Sequence, residues 1–345
     1  MSNIDHSKLN EELLSESSRV ALGDYVIDLA WSPDASKLGV VTAEGSVFLI
    51  DDRDESVCFK LIGQHVGGAN SLSWCPDGTE FATAGHDGLV KCWAEESGQL
   101  LCSLSAGDSW VSKAVYNPRR NILATVAGKN LKLWNDKREP FYESSEHSST
   151  VSDIAWNPDG SGVAIAAYNG ITVHVPSKQR RPRKYIWKGS SLALAWSPDA
   201  KYIATGEQDL TVHFWHVKSG EQAQMSGFSN KVMELSWDSS GRWLATGGGT
   251  SVFLWDCSGK GPAERKPHQF QAHSNKLTQL AFQPDGELLA SADAAGQLFL
   301  WDPMKTDEAV GGLPLSSSVS CLEWCKGRKL AVGQRDGSVT VFNVQ

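Results

Sequence analysis

The chain has 345 residues, of which 41% are hydrophobic, so it can bury a large core. A net charge of −8 argues against nucleic-acid binding through overall charge, while leaving room for a local basic patch. Seven cysteines without a CxxC pair give neither a zinc-ribbon signature nor a disulfide framework, and no window approaches the roughly 20 apolar residues of a membrane-spanning helix.

Residues 1–16 are polar and read as a tail, with a short helix around Lys8 to Ser15. They contain no apolar run of signal-peptide type, so a cytoplasmic location with reduced thiols is expected. Residues 18–22 read as one isolated strand. A repeating unit then begins, and residues 17–345 are assigned to a single domain. The unit is clearest from His65 to Trp93. Ser71-Leu72-Ser73-Trp74 alternates as a strand does, and Cys75-Pro76-Asp77-Gly78 is turn chemistry. Phe81-Ala82-Thr83-Ala84 is a second strand, His86-Asp87-Gly88 a second turn, and Leu89 to Trp93 a third strand. A fourth follows near Gln99 to Ser103.

The aromatic that ends the first strand recurs at Trp31, Trp74, Tyr116, Trp156, Trp196, Trp237, Phe282 and Trp324, at intervals of 40 to 45 residues. First strands are expected to begin near 26, 69, 110, 151, 191, 232, 277 and 319. Four short strands per unit at this period read as a β-propeller. The PDG-type turns, the second strands such as Leu244-Ala245-Thr246-Gly247 and the third strands ending Trp255-Asp256 and Trp301-Asp302 resemble the WD-repeat (tryptophan-aspartate repeat) family over residues 18–345. The expected fold is all-β: an eight-bladed WD-repeat propeller of four-stranded antiparallel blades. The N-terminal strand at 18–22 would complete the last blade and close the ring.

The resemblance implies a buried polar network in each complete blade. His65, Thr83, Asp87 and Trp93 match it fully. Other units match in part: Thr205, Asp209 and Trp215 lack the histidine, and His273, Ser291 and Trp301 have Ala295 where the aspartate is expected. These residue types satisfy one another's buried polar groups, and with no nucleophile beside them they do not suggest catalysis.

Family members commonly bind partners over the top face, formed by the loops between second and third strands and between successive blades. The matching turn positions are His86, Tyr168, Gln208 and Arg335, and the positions leading into first strands are Tyr25, Trp110, Lys231 and Lys276. Trp110 is the most suggestive, because tryptophan is over-represented among residues that dominate binding energy; the alternative is that it packs against its own blade. A second candidate surface is basic. Arg119, Arg120, Lys137, Arg138, Lys178, Arg180, Arg181, Arg183 and Lys184 would cluster on the bottom loops of units three and four. That sector could attract an acidic peptide, a phosphoinositide headgroup or a nucleic-acid backbone.

The function expected from these features is a non-enzymatic interaction scaffold, a single propeller working within a protein complex. The first alternative is an anion binder using the basic sector. The second is an enzyme using Asp28, Asp153, Glu234 and Glu323 near the channel. No cofactor is expected, and nucleic acid is a poor partner for so acidic a chain. His213 and His216 fall on opposite strand faces, and with His174 they make no metal site.

Overall fold

The computed structural model describes residues 13–52, 58–145, 147–176, 181–259, 261–262 and 265–345. All regular structure beyond single turns in these residues is β. Strand β1 (Leu14–Ala21) stands first. One sheet follows from β2 (Val26–Trp31), β3 (Lys37–Thr42), β4 (Ser46–Asp51) and β5 (Cys58–Gln64). The next holds β6 (Ala69–Trp74), β7 (Glu80–Gly85), β8 (Leu89–Ala94) and β9 (Leu100–Ser105). A third holds β10 (Val111–Tyr116), β11 (Leu123–Ala127), β12 (Asn130–Trp134) and β13 (Pro140–Ser144).

The fourth sheet is larger. It contains β14 (Asp153–Trp156), β15 (Val163–His174), β16 (Arg183–Trp196), β17 (Tyr202–Glu207), β18 (Val212–His216) and β19 (Gln222–Met225). Then come β20 (Leu235–Trp237), β21 (Trp243–Thr246), β22 (Ser251–Asp256) and β23 (His268–Gln271). The sixth sheet is β24 (Leu277–Phe282), β25 (Leu289–Asp293), β26 (Gln297–Trp301) and β27 (Ala309–Pro314). The last is β28 (Val319–Trp324), β29 (Lys329–Gln334) and β30 (Ser338–Val344), with β1 on its outer edge.

Counted as hydrogen-bonded sheets, the ring has seven blades among the described residues, and the expectation of eight four-stranded blades is corrected. The fourth and fifth sequence units share one six-stranded sheet. Its cause is β16, which pairs with β15 through residues 183–190 and with β17 through residues 191–196 without leaving the extended conformation. β15 is also unusual. Asn169 (φ 72°) and Gly170 (φ 96°) are both left-handed, as a two-residue I′ turn requires. The chain therefore doubles back inside β15, and a Cβ on Gly162 would lie 2.9 Å from the His174 carbonyl oxygen.

The inner strands are laced by tryptophan. Trp74 Nε1 donates to the Ala30 carbonyl at 2.8 Å, Trp156 to Val115 at 3.0 Å, and Trp196 to Ala155 at 3.2 Å. Trp237 donates to Ala195 at 3.3 Å and Trp324 to Ala281 at 3.0 Å. Trp31 donates to Glu323 at 3.4 Å, which brings the first unit to the last. Each acceptor precedes the matching aromatic of the unit before. Tyr116 and Phe282 carry no indole, and at Tyr116 the hydroxyl turns instead to Glu80 Oε1 at 2.6 Å.

β1 pairs antiparallel with β30 from Leu14↔Val344 to Ala21↔Ser338. The strand begins at Leu14, so the boundary drawn at residue 16 falls inside it, and Leu14 and Ser15 are extended where a helix was expected. Residues 1–12 lie outside the described residues. Leu14 and Val20 are buried, whereas Glu16 is exposed. Ser18 Oγ donates to Asp52 Oδ1 at 3.2 Å, and Lys329 reaches the same carboxylate at 2.5 Å, tying β1, the first unit and the last. Leu14→Ala is expected to cost about 2–3 kcal/mol in urea denaturation. Glu16→Ala should stay within about 0.5 kcal/mol. Equal effects would show that β1 does not seal the ring.

Candidate functional site

Unit two carries a directional polar relay. The Asp87 carboxylate can only accept, so it receives the proton on His65 Nδ1 (2.9 Å to Oδ1). That leaves His65 Nε2 to accept from Thr83 Oγ1 at 2.8 Å, while Thr83 accepts from Trp93 Nε1 at 2.8 Å. His65 and Thr83 are wholly buried. Burial pushes the His65 imidazole below its ordinary range, against the pull of Asp87. Burial alone would raise the Asp87 carboxyl, but the hydrogen bond and charge of His65, with the backbone N–H groups of Val66 and Leu89, together outweigh it and the net displacement is downward.

This relay has a counterpart that the aligned positions hid. In the sixth sheet His273 Nδ1 lies 3.1 Å from Asp293 Oδ2, His273 Nε2 lies 2.7 Å from Ser291 Oγ, and Trp301 Nε1 donates to Ser291 at 2.8 Å. The aspartate is Asp293, two residues before the expected place at Ala295. In unit two the position matching Asp293 is Gly85, where an added Cβ would meet His65 Nδ1 at 2.1 Å. Asp293 reaches the imidazole from the strand end and Asp87 from the turn. Shorter versions join Trp134 Nε1 to Thr125 at 2.9 Å and Trp255 Nε1 to Thr246 at 3.1 Å. In the unit of Thr205 and Asp209, Trp215 Nε1 has no hydrogen-bond partner among the described residues.

The top-face candidates fall into pairs. His86 and Trp110 stack with centroids 4.3 Å apart and planes at 11°. Arg335 lies over the Tyr25 ring at 5.6 Å. In both pairs, the turn before a third strand meets the residue leading into the next unit's first strand. His86 is fixed on both nitrogens, with Nδ1 at 2.7 Å from the Gly67 carbonyl and Nε2 at 2.8 Å from Asn70 Oδ1. Asn70 was not anticipated from the sequence; its Nδ2 donates to the Val111 carbonyl at 2.9 Å and so locks the amide's orientation. Trp110 remains 64% exposed, its ring stacked on His86 of the preceding unit. Beside it opens a cleft of about 630 Å³, lined by Asn70, Asp108, Trp110, Ser112, Gly128 and Thr150 among others. Gln208, Lys231 and Lys276 are exposed on loops elsewhere on the ring, and Tyr168 is exposed within β15.

The basic sector is less uniform than its sequence. Arg138 forms an ion pair with buried Glu80 and lies 3.3 Å from the Tyr116 hydroxyl, so its charge is already matched. Arg183 donates to the Lys218 carbonyl at 3.0 Å and covers Tyr185, and Arg119 donates to the Pro158 carbonyl at 3.3 Å. Arg120, Lys137, Arg181 and Lys184 are exposed, while Lys178 and Arg180 lie outside the described residues.

The inner-strand carboxylates bind backbone. Asp28 accepts the N–H of Leu72 at 2.9 Å from the next unit, and Asp153 that of Leu194 at 3.0 Å. Burial raises both carboxyls, with the Lys113 cation opposing it. Glu234 accepts from Met233 N at 3.3 Å, and burial raises its carboxyl and that of Glu323, the latter reinforced by Asp28. His213 and His216 pair with Thr205 and Tyr202 on β17, and among the described residues no three His, Cys, Asp or Glu side chains are grouped to hold a metal.

Seven sheets in a ring, each with its first strand innermost and laced to its neighbours, define a β-propeller. The chain belongs to the WD-repeat propellers: residues 25–264 match the family described as the IFT122 first beta-propeller, and residues 264–302 match the WD domain, G-beta repeat. It is 25% identical to Telomerase protein component 1 of Rattus norvegicus over 90% of this chain and 12% of that protein. It is 27% identical to Cell division cycle 20.1, cofactor of APC complex, of Arabidopsis thaliana, over 81% of this chain and 64% of that one. The chain thus spans less than two thirds of the length of these relatives. The crystal structure of the computationally designed Ika8 protein superposes with a TM-score of 0.79 at 20% identity, covering 95% of this chain and 99% of that chain, a likeness of fold alone. Among the described residues no helix is long and apolar enough to cross a membrane.

Asp87→Ala and Asp293→Ala should each cost about 1–3 kcal/mol in urea denaturation, because each strands a buried imidazole donor. A neutral result at both would refute the relay. The folded His65 value lies below the unfolded one, so in that window only the unfolded chain takes up a proton and stability rises with pH. The stability advantage of the wild type over His65→Asn should therefore grow from about pH 5 to about pH 7. An advantage that shrinks over that range would reverse the sign.

Proposed function

We propose that the chain is a non-enzymatic scaffold that holds a protein partner against its top face, at the His86–Trp110 stack and the cleft beside it. WD-repeat propellers typically serve as protein-interaction scaffolds, and the Arabidopsis relative is named as a cofactor of a complex. The observation that carries the reading is Trp110, a large aromatic kept outside the core and held flat by a histidine that is itself tied at both nitrogens. An exposed anchor already fixed in one orientation loses little entropy on binding. Tyr25, Tyr168, Gln208, Lys231, Lys276 and Arg335 would extend the contact around the ring. The basic sector is the weaker surface, since Arg138, Arg183 and Arg119 already have partners within the fold.

Affinity purification from the native host with wild type, Trp110→Ala and an Arg180/Arg181/Arg183 charge reversal tests this. Trp110→Ala should lose bound protein by about tenfold or more, as hot-spot truncations do, and charge reversal should retain it. Loss with the charge reversal and retention with Trp110→Ala would move the working surface to the basic sector.

A further inference from the structure

The second sheet contains a pair of thiols that neither the polar relay nor the top face uses. Cys92 on β8 and Cys102 on the outer strand β9 are direct partners in the antiparallel register. Directly opposed residues in such a ladder have Cα atoms about 4.5–5.5 Å apart, inside the usual span of a disulfide. Cys102 packs on the core cluster that contains Cys92. Both sulfurs are free thiols in this structure.

The two thiols differ in the way an attacking and a resolving cysteine must. Cys92 is wholly buried, and the Tyr116 hydroxyl lies 3.8 Å from its sulfur. Cys102 is half-buried on an edge strand, within reach of a small solute. The neighbouring Cys92 sulfur lowers the Cys102 thiol, against burial. The same proximity, together with burial, pushes Cys92 upward. Immediately after the pair the register slips from Cys92↔Cys102 to Trp93↔Leu100, leaving Leu101 as the extra residue of a bulge. Leu100 and Leu101 are exposed, so the outer strand is accessible on both sides of the bulge. The remaining cysteines lack such a partner across a strand: Cys75, Cys257, Cys321 and Cys325 are buried, and Cys58 is exposed opposite Asp51.

We infer that Cys102 and Cys92 form an oxidation site for hydroperoxides, at which a reversible cross-strand disulfide staples the outer strand of the second sheet to its neighbour. The Cys102 thiolate attacks one peroxide oxygen and the O–O bond breaks. With hydrogen peroxide, hydroxide leaves and takes a proton from solvent as water, and Cys102 becomes a sulfenic acid. The Cys92 sulfur then attacks the Cys102 sulfur and the S–O bond breaks. The departing hydroxide takes the Cys92 proton and leaves as the second water. Two electrons pass from the two sulfurs to the peroxide, and an external thiol restores both.

The test is a peptide map of the full chain after graded hydrogen peroxide, with free thiols alkylated in denaturant and no reductant. The expected product is a Cys92–Cys102 linked peptide two hydrogens lighter than the unlinked pair and abolished by dithiothreitol. Cys102 should be consumed about tenfold or more faster than Cys75 and Cys257, following thiolate character and exposure. Cys58→Ser should leave the yield unchanged, and Cys102→Ser should leave Cys92 alkylatable. The inference is overturned if Cys102 accumulates as sulfinic acid while Cys92 stays free, or if links through Cys58 account for the thiol loss. The wild-type map decides by itself, whether or not the serine variant folds.

Discussion

The structure depends on an indole N–H reaching a backbone carbonyl one unit away. Inner strands of neighbouring units lie side by side without a shared hydrogen-bond ladder, and only side chains can fix their relative height. Trp31, Trp74, Trp156, Trp196, Trp237 and Trp324 do this with one repeated bond to the carbonyl that precedes the corresponding aromatic. Asp28 and Asp153 add a second tie by accepting the next unit's backbone N–H. Asp28 and Asp153 are therefore occupied in holding neighbouring units together. The bond from Trp31 to Glu323 matters most for topology, since it joins units at opposite ends of the chain.

The fourteen tryptophans of this sequence then divide by task. Six lace the inner strands. Four more, Trp93, Trp134, Trp255 and Trp301, donate to a Ser or Thr within their own unit. Trp243 lies under the Arg242 guanidinium, Trp187 against His213, and buried Trp215 meets the Tyr185 ring edge-on. Trp110 has no such duty: its ring is turned outward and its support comes from a neighbouring loop. The contrast between ten indoles spent on the fold and one presented to solvent gives the top-face reading its physical basis.

Much of the architecture was legible because turn chemistry and the aromatic period are local properties of the chain. The first strand of each unit ends on its aromatic as expected, and His65, Thr83, Asp87 and Trp93 lie within hydrogen-bonding distance along the relay. What failed depended on geometry that spacing does not encode. Whether β16 leaves the sheet between two units is a matter of backbone path, and it stays extended, giving seven sheets where eight were expected. Asp293 was overlooked because a carboxylate two positions earlier can reach the same imidazole. Arg138 looked like a free surface charge because its partner Glu80 is remote in sequence and buried. The Cys92–Cys102 pairing was likewise invisible until the register of β8 against β9 was known.

The division of the tryptophans is tested most directly by conservative replacement, with unfolding free energy as the readout. Trp156→Phe and Trp196→Phe keep an aromatic ring and remove the indole N–H that reaches Val115 or Ala155. The account predicts a loss of about 1 kcal/mol or more at each, and no change beyond about 0.5 kcal/mol for Trp110→Phe. Neutral inner replacements together with a destabilising Trp110→Phe would contradict it, because the lacing would then be incidental and Trp110 part of the core.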